Sequence, residues 1–92
     1  MAVTHVPGNK KGDVMLYALS TCGWCKKTRN LLEELKVDFN FTEVDLLDDT
    51  GKEKVIEEIK KWNPRCSFPS LVVDNSVCIV GFDEEKIRDT FK

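Results

Sequence analysis

Two cysteines three positions apart, placed between a strand pattern and a helix pattern, constrain this chain more than any other feature. Cys22 and Cys25 follow the apolar run 14–19 and precede a helical pattern that extends from Lys26 to Lys36. The first cysteine therefore lies at a helix N-terminus, where free N–H groups and aligned peptide dipoles stabilise a thiolate. Because the thiolate is the nucleophilic form of sulfur, the pattern predicts a redox-active dithiol on an α/β scaffold.

Length and composition indicate one small domain. The 92 residues are 41% apolar and 33% charged, as in ordinary globular proteins, and the formal net charge is −2. Acidic and basic residues are interspersed, which does not favour a nucleic-acid or membrane surface, and no apolar run approaches the roughly 18 residues of a membrane span. The first seven residues lack the basic and apolar regions of a secretory signal. We therefore expect a cytoplasmic protein whose four cysteines stay reduced or cycle.

Periodicity and turn signals order the elements as β-α-β-α-β-β-α. A helical crossover joins the first two predicted strands, so these strands should be parallel with a right-handed connection. Turn residues join the last two strands into an antiparallel hairpin, and Asp83 is placed to cap the final helix. The predicted elements are strands over residues 14–19, 39–45, 71–73 and 77–80 and helices over residues 23–36, 52–62 and after Asp83.

The N-terminal segment differs in character from the rest of the chain. Residues 1–12 contain two glycines, a proline and two lysines, and they precede the first predicted strand. We interpret them as a flexible arm or a short extra strand, and we interpret residues 13–92 as one domain. His5, the single histidine, lies in this segment and is assigned no role.

Three motifs in the same order resemble those of glutaredoxins, a branch of the thioredoxin superfamily. They are the C-x-x-C of Cys22 and Cys25, Ser67-Phe68-Pro69 before a strand, and Gly81-Phe82-Asp83 before the last helix. The resemblance covers residue 13 to the C-terminus. It implies a four-stranded mixed sheet flanked by three helices, a cis peptide bond before Pro69, and a dithiol–disulfide oxidoreductase that acts on protein disulfides.

The dithiol predicts a two-step exchange. Cys22 is the expected nucleophile, which forms a mixed disulfide with the substrate, and Cys25, one helical turn on, attacks that bond and releases the reduced substrate. Trp24 is expected to shape the substrate groove, and Gly23 to allow close backbone approach. The alternatives are a static disulfide or half of a metal site for the cysteines, and an exposed aromatic residue without a special role for Trp24.

The resemblance implies that further residues bind the substrate. The backbone around Pro69 would pair with the substrate chain as an added strand. Phe68 would pack either on the substrate or on the core. Arg65, next to Cys66, is a candidate substitute for the family's basic or amide residue before the cis-proline. Gly81 belongs to the third motif, and Asp83 keeps the place at which a glutathione amino group would be met.

Departures from the family pattern bear on the electron donor. The usual lysine three residues before the first cysteine is Leu19, the basic or amide residue three before the cis-proline is Cys66, and the usual glycine pair is Val80-Gly81. The cationic contacts to the glutathione carboxylates are thus mostly missing. We expect a protein reductase, of the thioredoxin-reductase or ferredoxin-linked type, to serve as donor more than glutathione, which stays open as the alternative.

The remaining cysteines suggest no bound cofactor. Cys66 is a candidate accessory thiol, in an alternative disulfide or as a regulatory group, or else an idle loop residue; Cys78 lies in an apolar strand and is expected in the core. Without a second close C-x-x-C, structural zinc is not expected. Some glutaredoxin relatives with glycine after the first cysteine bridge two subunits with an iron–sulfur cluster. We keep that dimer as the alternative to a monomer without a bound cofactor.

Overall fold

The computed structural model describes residues 3–65, 67–74 and 76–91, in which helices and strands alternate much as their periodicities predict. Residues 1–2, 66, 75 and 92 lie outside this description. The elements in chain order are β1 (Thr4–Val6), β2 (Val14–Ala18), α1 (Gly23–Glu34), β3 (Phe39–Glu43), a 3₁₀ turn (Val44–Leu46), α2 (Asp49–Trp62), β4 (Ser70–Val73), β5 (Val77–Val80) and α3 (Glu84–Thr90).

The strands form one mixed sheet in the order β1-β3-β2-β4-β5. β2, which is apolar on nearly every residue, lies at the centre, parallel to β3 and antiparallel to β4. β4 and β5 form the predicted antiparallel hairpin. The parallel pairing of β2 with β3 confirms the predicted crossover through α1.

The described sheet has five strands, whereas the resemblance implies four, and the additional strand is β1. β1 pairs antiparallel with β3, with Thr4 opposite Phe41 and Val6 opposite Phe39. The Nε2 atom of His5 lies 2.9 Å from Oδ1 of Asp38, and this hydrogen bond holds the pKa of Asp38 below its ordinary value. The added strand satisfies backbone groups that would otherwise be exposed along the edge of β3.

Helices cover both faces of the sheet and bury the predicted apolar stripes. α1 and α3 pack on one face through Leu31, Leu32 and Ile87, whereas α2 packs on the other through Val55 and Ile59. Side chains alternate between the two faces along each strand, which separates the core into two clusters. No helix in the described ranges combines the length and apolar character needed to cross a membrane.

Three element boundaries differ from those expected by two or three residues. α1 ends at Glu34, because Lys36 adopts a left-handed conformation (φ 57°) and the N–H of Val37 turns back to the carbonyl of Leu32 at 3.1 Å. β3 ends at Glu43, where the chain tightens into the 3₁₀ turn. α2 begins three residues early, because Asp48 caps it by accepting the N–H of Gly51 at 2.7 Å.

Candidate functional site

The sheet brings three loops together at one edge. Tyr17 near the end of β2 pairs with Ser70 at the start of β4, and Ser70 pairs with Val80 at the end of β5. Because these pairs lie side by side, the loop after β2, the segment before β4 and the loop after β5 adjoin. They carry the C-x-x-C, the Phe68-Pro69 pair and Gly81 to Asp83, so the three motifs form one site.

The two cysteines occupy different environments. Cys22 is the N-cap of α1 with extended backbone, and its Sγ accepts the N–H of Cys25 at 3.1 Å. Cys22 is half-buried, whereas Cys25 is only 2% exposed. Burial, and next the hydrogen bond to Cys22, raise the pKa of Cys25 well above its ordinary value. The geometry therefore places the accessible sulfur at the helix N-terminus and a protonated thiol behind it.

A carboxylate holds the loop that leads into the dithiol. Asp45, in the 3₁₀ turn, accepts the backbone N–H of Ser20 at 2.8 Å and also the Ser20 hydroxyl. These two hydrogen bonds lower the pKa of Asp45. The β2–α1 loop is thus tied to the end of β3. The sequence contained no signal for this pair, because the two residues are 25 positions apart.

An aromatic platform lies beside Cys22. Trp24 is 58% exposed and stacks on Phe82, with ring centroids 5.9 Å apart and an interplanar angle of 28°. The Nζ atom of Lys27 lies 4.5 Å from the centroid of the Trp24 ring, a cation–π contact. We call Trp24, Phe82 and Lys27 the platform. Phe82 was part of a motif in the sequence but was not selected as a site residue.

The segment before β4 is anchored to β5. The Phe68–Pro69 peptide bond is cis, as the resemblance implies, and the carbonyl of Pro69 accepts the N–H of Gly81 at 2.8 Å. Gly81 has φ +80°, a conformation that residues with a Cβ rarely adopt. Phe68 is half-buried and packs against both core clusters, so its contacts within this chain are with the core.

A buried amide supports the same segment from below. Asn63 is 6% exposed, and its Nδ2 group donates to the Ser67 hydroxyl at 2.8 Å and lies 3.4 Å from the Ser70 hydroxyl. The Ser70 hydroxyl in turn donates to the Ser67 carbonyl at 2.7 Å. This network positions the turn that carries Pro69. The sequence identified Asn63 only as the end of a helix, because its amide partners are set by the turn.

Three of the remaining predicted site residues are exposed, namely Asp83, Arg65 and Gly23. Asp83 is exposed and caps α3 by accepting the N–H of Lys86 at 3.1 Å. Arg65 is exposed in the segment before β4. A Cβ on Gly23 would meet nothing within 4 Å, so the fold itself does not require glycine there. Cys66, the candidate accessory thiol, lies outside the described residues.

Cys78 and Leu19 lie on the α2 side of the sheet. Cys78 is half-buried against the α2-side cluster, and burial raises its pKa. Leu19, which takes the place of the family's lysine, packs in the same cluster. Within the ranges that the structure describes, no three His, Cys, Asp or Glu side chains form a group that could hold a metal ion.

Comparisons with known proteins agree with this geometry. The glutaredoxin family model matches residues 14–78. A glutaredoxin structure from Methanosarcina mazei Go1 is 44% identical and superimposes with a TM-score of 0.92, over 97% of this chain and 86% of that chain. A methanoredoxin structure from Methanosarcina acetivorans is 43% identical, with a TM-score of 0.89 over 91% of this chain and 88% of that chain.

A curated sequence relative extends the comparison. A glutaredoxin-like 8.6 kDa protein from the rubredoxin operon of Clostridium pasteurianum is 34% identical over 74 residues, which are 80% of this chain and 91% of that protein. The matches therefore span most of each partner, and they include the strand, the dithiol helix and the segment before β4.

Proposed function

This chain belongs to the glutaredoxin family and is a thiol–disulfide oxidoreductase with the Cys22/Cys25 pair, and on that premise we propose that it reduces protein disulfides with electrons from a protein reductase more than from glutathione. The exposed platform beside Cys22 is the observation that carries this proposal. The stacked rings of Trp24 and Phe82 give this platform a flat apolar area, which suits a protein partner better than it suits the two charged carboxylates of glutathione.

The proposed reaction follows from the different burial of the two sulfurs. The Cys22 thiolate attacks one sulfur of the substrate disulfide, which forms a mixed disulfide and releases the other sulfur as a thiolate. Cys25 then loses its proton and attacks Cys22 Sγ, so that the substrate leaves as its second thiol and the Cys22–Cys25 disulfide forms. The substrate gains two electrons, and the reductase returns two electrons to this pair.

The proposed substrate surface surrounds the attacking sulfur. Trp24 and Phe82 offer contact area on one side of Cys22, and the backbone at Pro69 offers hydrogen-bonding groups on the other. Gly23 leaves open space at the helix start, into which a substrate chain can come close. Arg65 and Asp83 contribute charge at the rim of this surface.

The choice of donor rests on the residues that occupy the positions of the family's glutathione contacts. Leu19 takes the position of a lysine and is packed into the core cluster under α2, so it offers no cation to a carboxylate. Asp83, the one glutathione-type residue retained, uses its carboxylate to cap α3. An acyclic tripeptide with two carboxylates therefore finds few complementary groups near Cys22.

Comparing donors tests the proposal. Reduction of insulin disulfides would be followed with glutathione plus its reductase, with NADPH plus thioredoxin reductase, and with a ferredoxin-linked reductase, and dithiothreitol would serve as a donor that needs no recognition. Turnover with a protein reductase, at least tenfold faster than with glutathione and lost in Cys22→Ser, is the expected result. Faster turnover with glutathione would overturn the donor assignment and support the glutathione-dependent alternative.

The Leu19→Lys variant sharpens this comparison. Restoring a cation at this position should raise turnover with glutathione and leave turnover with dithiothreitol unchanged, if a missing charge is what weakens glutathione recognition. Leu46→Lys, at the exposed last residue of the 3₁₀ turn, provides the matched control for an added charge. Equal gains in both variants would indicate a nonspecific charge effect.

We further propose that the protein acts in the cytoplasm as a monomer and without a bound cofactor, since glutaredoxins generally use none. A reducing compartment keeps the thiols of Cys22 and Cys25 available between turnovers. Anaerobic purification tests this state directly. A brown dimer with visible absorbance would instead support the iron–sulfur alternative.

A further inference from the structure

A small cavity lies behind the dithiol and connects the buried sulfur to a carboxylate. Its volume is about 30 Å³, close to the share of liquid volume that one water molecule occupies, roughly 30 Å³. Cys25, Ser20 and Glu43 are among the residues that line it. Cys25 is only 2% exposed, so this cavity is one place where a water molecule could meet its thiol.

The register of the sheet places Glu43 on the correct face. Successive side chains of β3 point to opposite faces of the sheet. The face covered by α1 carries Phe39, Phe41 and Glu43, and the two phenylalanines belong to the core cluster there. Glu43 pairs with Ala18 in the parallel β2–β3 ladder. Ala18 has only a methyl group, which leaves room beside Cys25. Glu43 is half-buried, and its carboxylate makes no hydrogen bond or ion pair with residues in the described ranges.

Other charged groups around Cys25 are already engaged or carry the wrong charge. Asp45 faces Cys25 from the 3₁₀ turn, but it accepts two hydrogen bonds from Ser20, and these lower its pKa, which makes it a poor proton acceptor. Lys26 and Arg29 line the cavity from α1 and are cations. Arg29 lies over the Phe41 ring at 4.9 Å.

We propose that Glu43 is the proton acceptor for Cys25 in the resolving step, through one water molecule in this cavity. The inference rests on the proposed function, in which Cys25 resolves the mixed disulfide. The Cys25 S–H proton passes to the water and a proton of the water passes to the Glu43 carboxylate. The Cys25 thiolate then bonds to Cys22 Sγ, the bond from Cys22 to the substrate sulfur breaks, and the substrate leaves as a thiolate.

The physical need for an acceptor comes from burial. Burial in apolar surroundings destabilises the charged thiolate, so a buried thiol holds its proton strongly. Hydroxide, which could remove that proton, is scarce at neutral pH. A carboxylate one water away supplies a base without exposing the sulfur to solvent.

An aromatic disulfide tests the proposal without a protein substrate or a reductase. One equivalent of 5,5′-dithiobis(2-nitrobenzoate) should react with Cys22 and release one coloured thiolate, and attack by Cys25 should then release the second. Stopped-flow absorbance between pH 6 and pH 10 separates these two phases. All proteins would carry Cys66→Ser and Cys78→Ser, so that only the dithiol reacts. The leaving aromatic thiol is ionised over this whole pH range. The pH dependence of the second phase therefore reports on the deprotonation of Cys25.

Glu43→Gln should slow the second phase about tenfold or more at pH 7 and leave the first phase within twofold, and the difference should shrink towards pH 10 as hydroxide replaces the carboxylate. Glu43→Asp should keep part of the rate. Glu57→Gln, the same charge change at an exposed position of α2, should match the parent at every pH.

The opposite sign would overturn the proposal. If Glu43 acted only through its charge, removing that charge would favour the Cys25 thiolate and speed the second phase. An unchanged or faster second phase in Glu43→Gln, or equal slowing in Glu57→Gln, therefore excludes Glu43 as the acceptor. A parent protein that releases both thiolates in this assay but reduces no protein disulfide with any donor would refute the proposed function alone.

Discussion

The N–H of Gly81 donates to the carbonyl of Pro69 at 2.8 Å and so ties the end of β5 to the segment that faces the dithiol. Gly81 makes this contact with φ +80°, in the region that favours glycine. The backbone of the loop, rather than a side chain, thus sets the distance between two of the three motifs. A substitution that alters this backbone should affect both stability and activity.

Gly81→Ala should destabilise the protein by about 1–2 kcal/mol, because a Cβ makes a positive φ costly. Urea denaturation measures this loss. Gly23→Ala is the matched control, since its Cβ would meet open space at the start of a helix, and we expect no loss of stability there. Gly23→Ala should nevertheless lower turnover of a protein disulfide, if a substrate chain approaches that backbone. A stable and fully active Gly81→Ala would contradict the role of the turn.

Trp24→Ala should lower kcat/KM for a protein disulfide about fivefold to thirtyfold, which corresponds to about 1–2 kcal/mol of lost contact at an interface. Reduction of a small aromatic disulfide should change less than twofold, because a small molecule does not span the platform. Leu46→Ala removes another exposed apolar side chain, which is 66% exposed, and serves as the control. Parallel losses on both kinds of substrate would indicate damage to the dithiol instead.

Asp45→Asn should weaken the β2–α1 loop in a pH-dependent manner. Hydrogen bonds from Ser20 lower the pKa of Asp45 in the folded protein, so the unfolded chain binds its proton more readily. The stabilisation is therefore present above the unfolded pKa of about 3.9 and is lost as pH falls through the folded pKa. Thermal melts of the wild type and the variant should differ at pH 6, and the difference should shrink as pH falls below the unfolded pKa of about 3.9. A constant difference over this range would show that ionisation is not involved.

Reduced protein should lose stability as pH rises above about 8.5. Burial raises the pKa of Cys25, so the folded state keeps a proton that the unfolded chain releases, and the free energy of unfolding falls with pH. Reduced Cys25→Ser should show a shallower decline between pH 8.5 and pH 10, which denaturant titration can measure. Tyr17, whose pKa burial and then Glu58 raise to about 12, adds its own loss above pH 10. Identical slopes for both proteins would argue against a buried Cys25 thiol.

Much of the architecture could be predicted from local pattern. The apolar run before Cys22, the stripe of Leu31 and Leu32 and the cap at Asp83 each depend on residues within a few positions of one another. Two boundaries were wrong for an equally local reason, because the left-handed Lys36 and the 3₁₀ turn after Glu43 end their elements without a glycine or a proline to mark them.

The sequence by itself determined that a dithiol stands at the start of a helix between two strands of an α/β protein, since burial period, capping and thiol spacing are all properties of short segments. Only the tertiary structure decided that Trp24 stacks on Phe82, that Ser20 is held by Asp45, and that Glu43 lies beside the cavity of Cys25. These contacts join residues that are 18 to 58 positions apart by their numbers in the chain. They arise because strand register and helix packing, which depend on the whole core, set which distant side chains share one edge of the sheet.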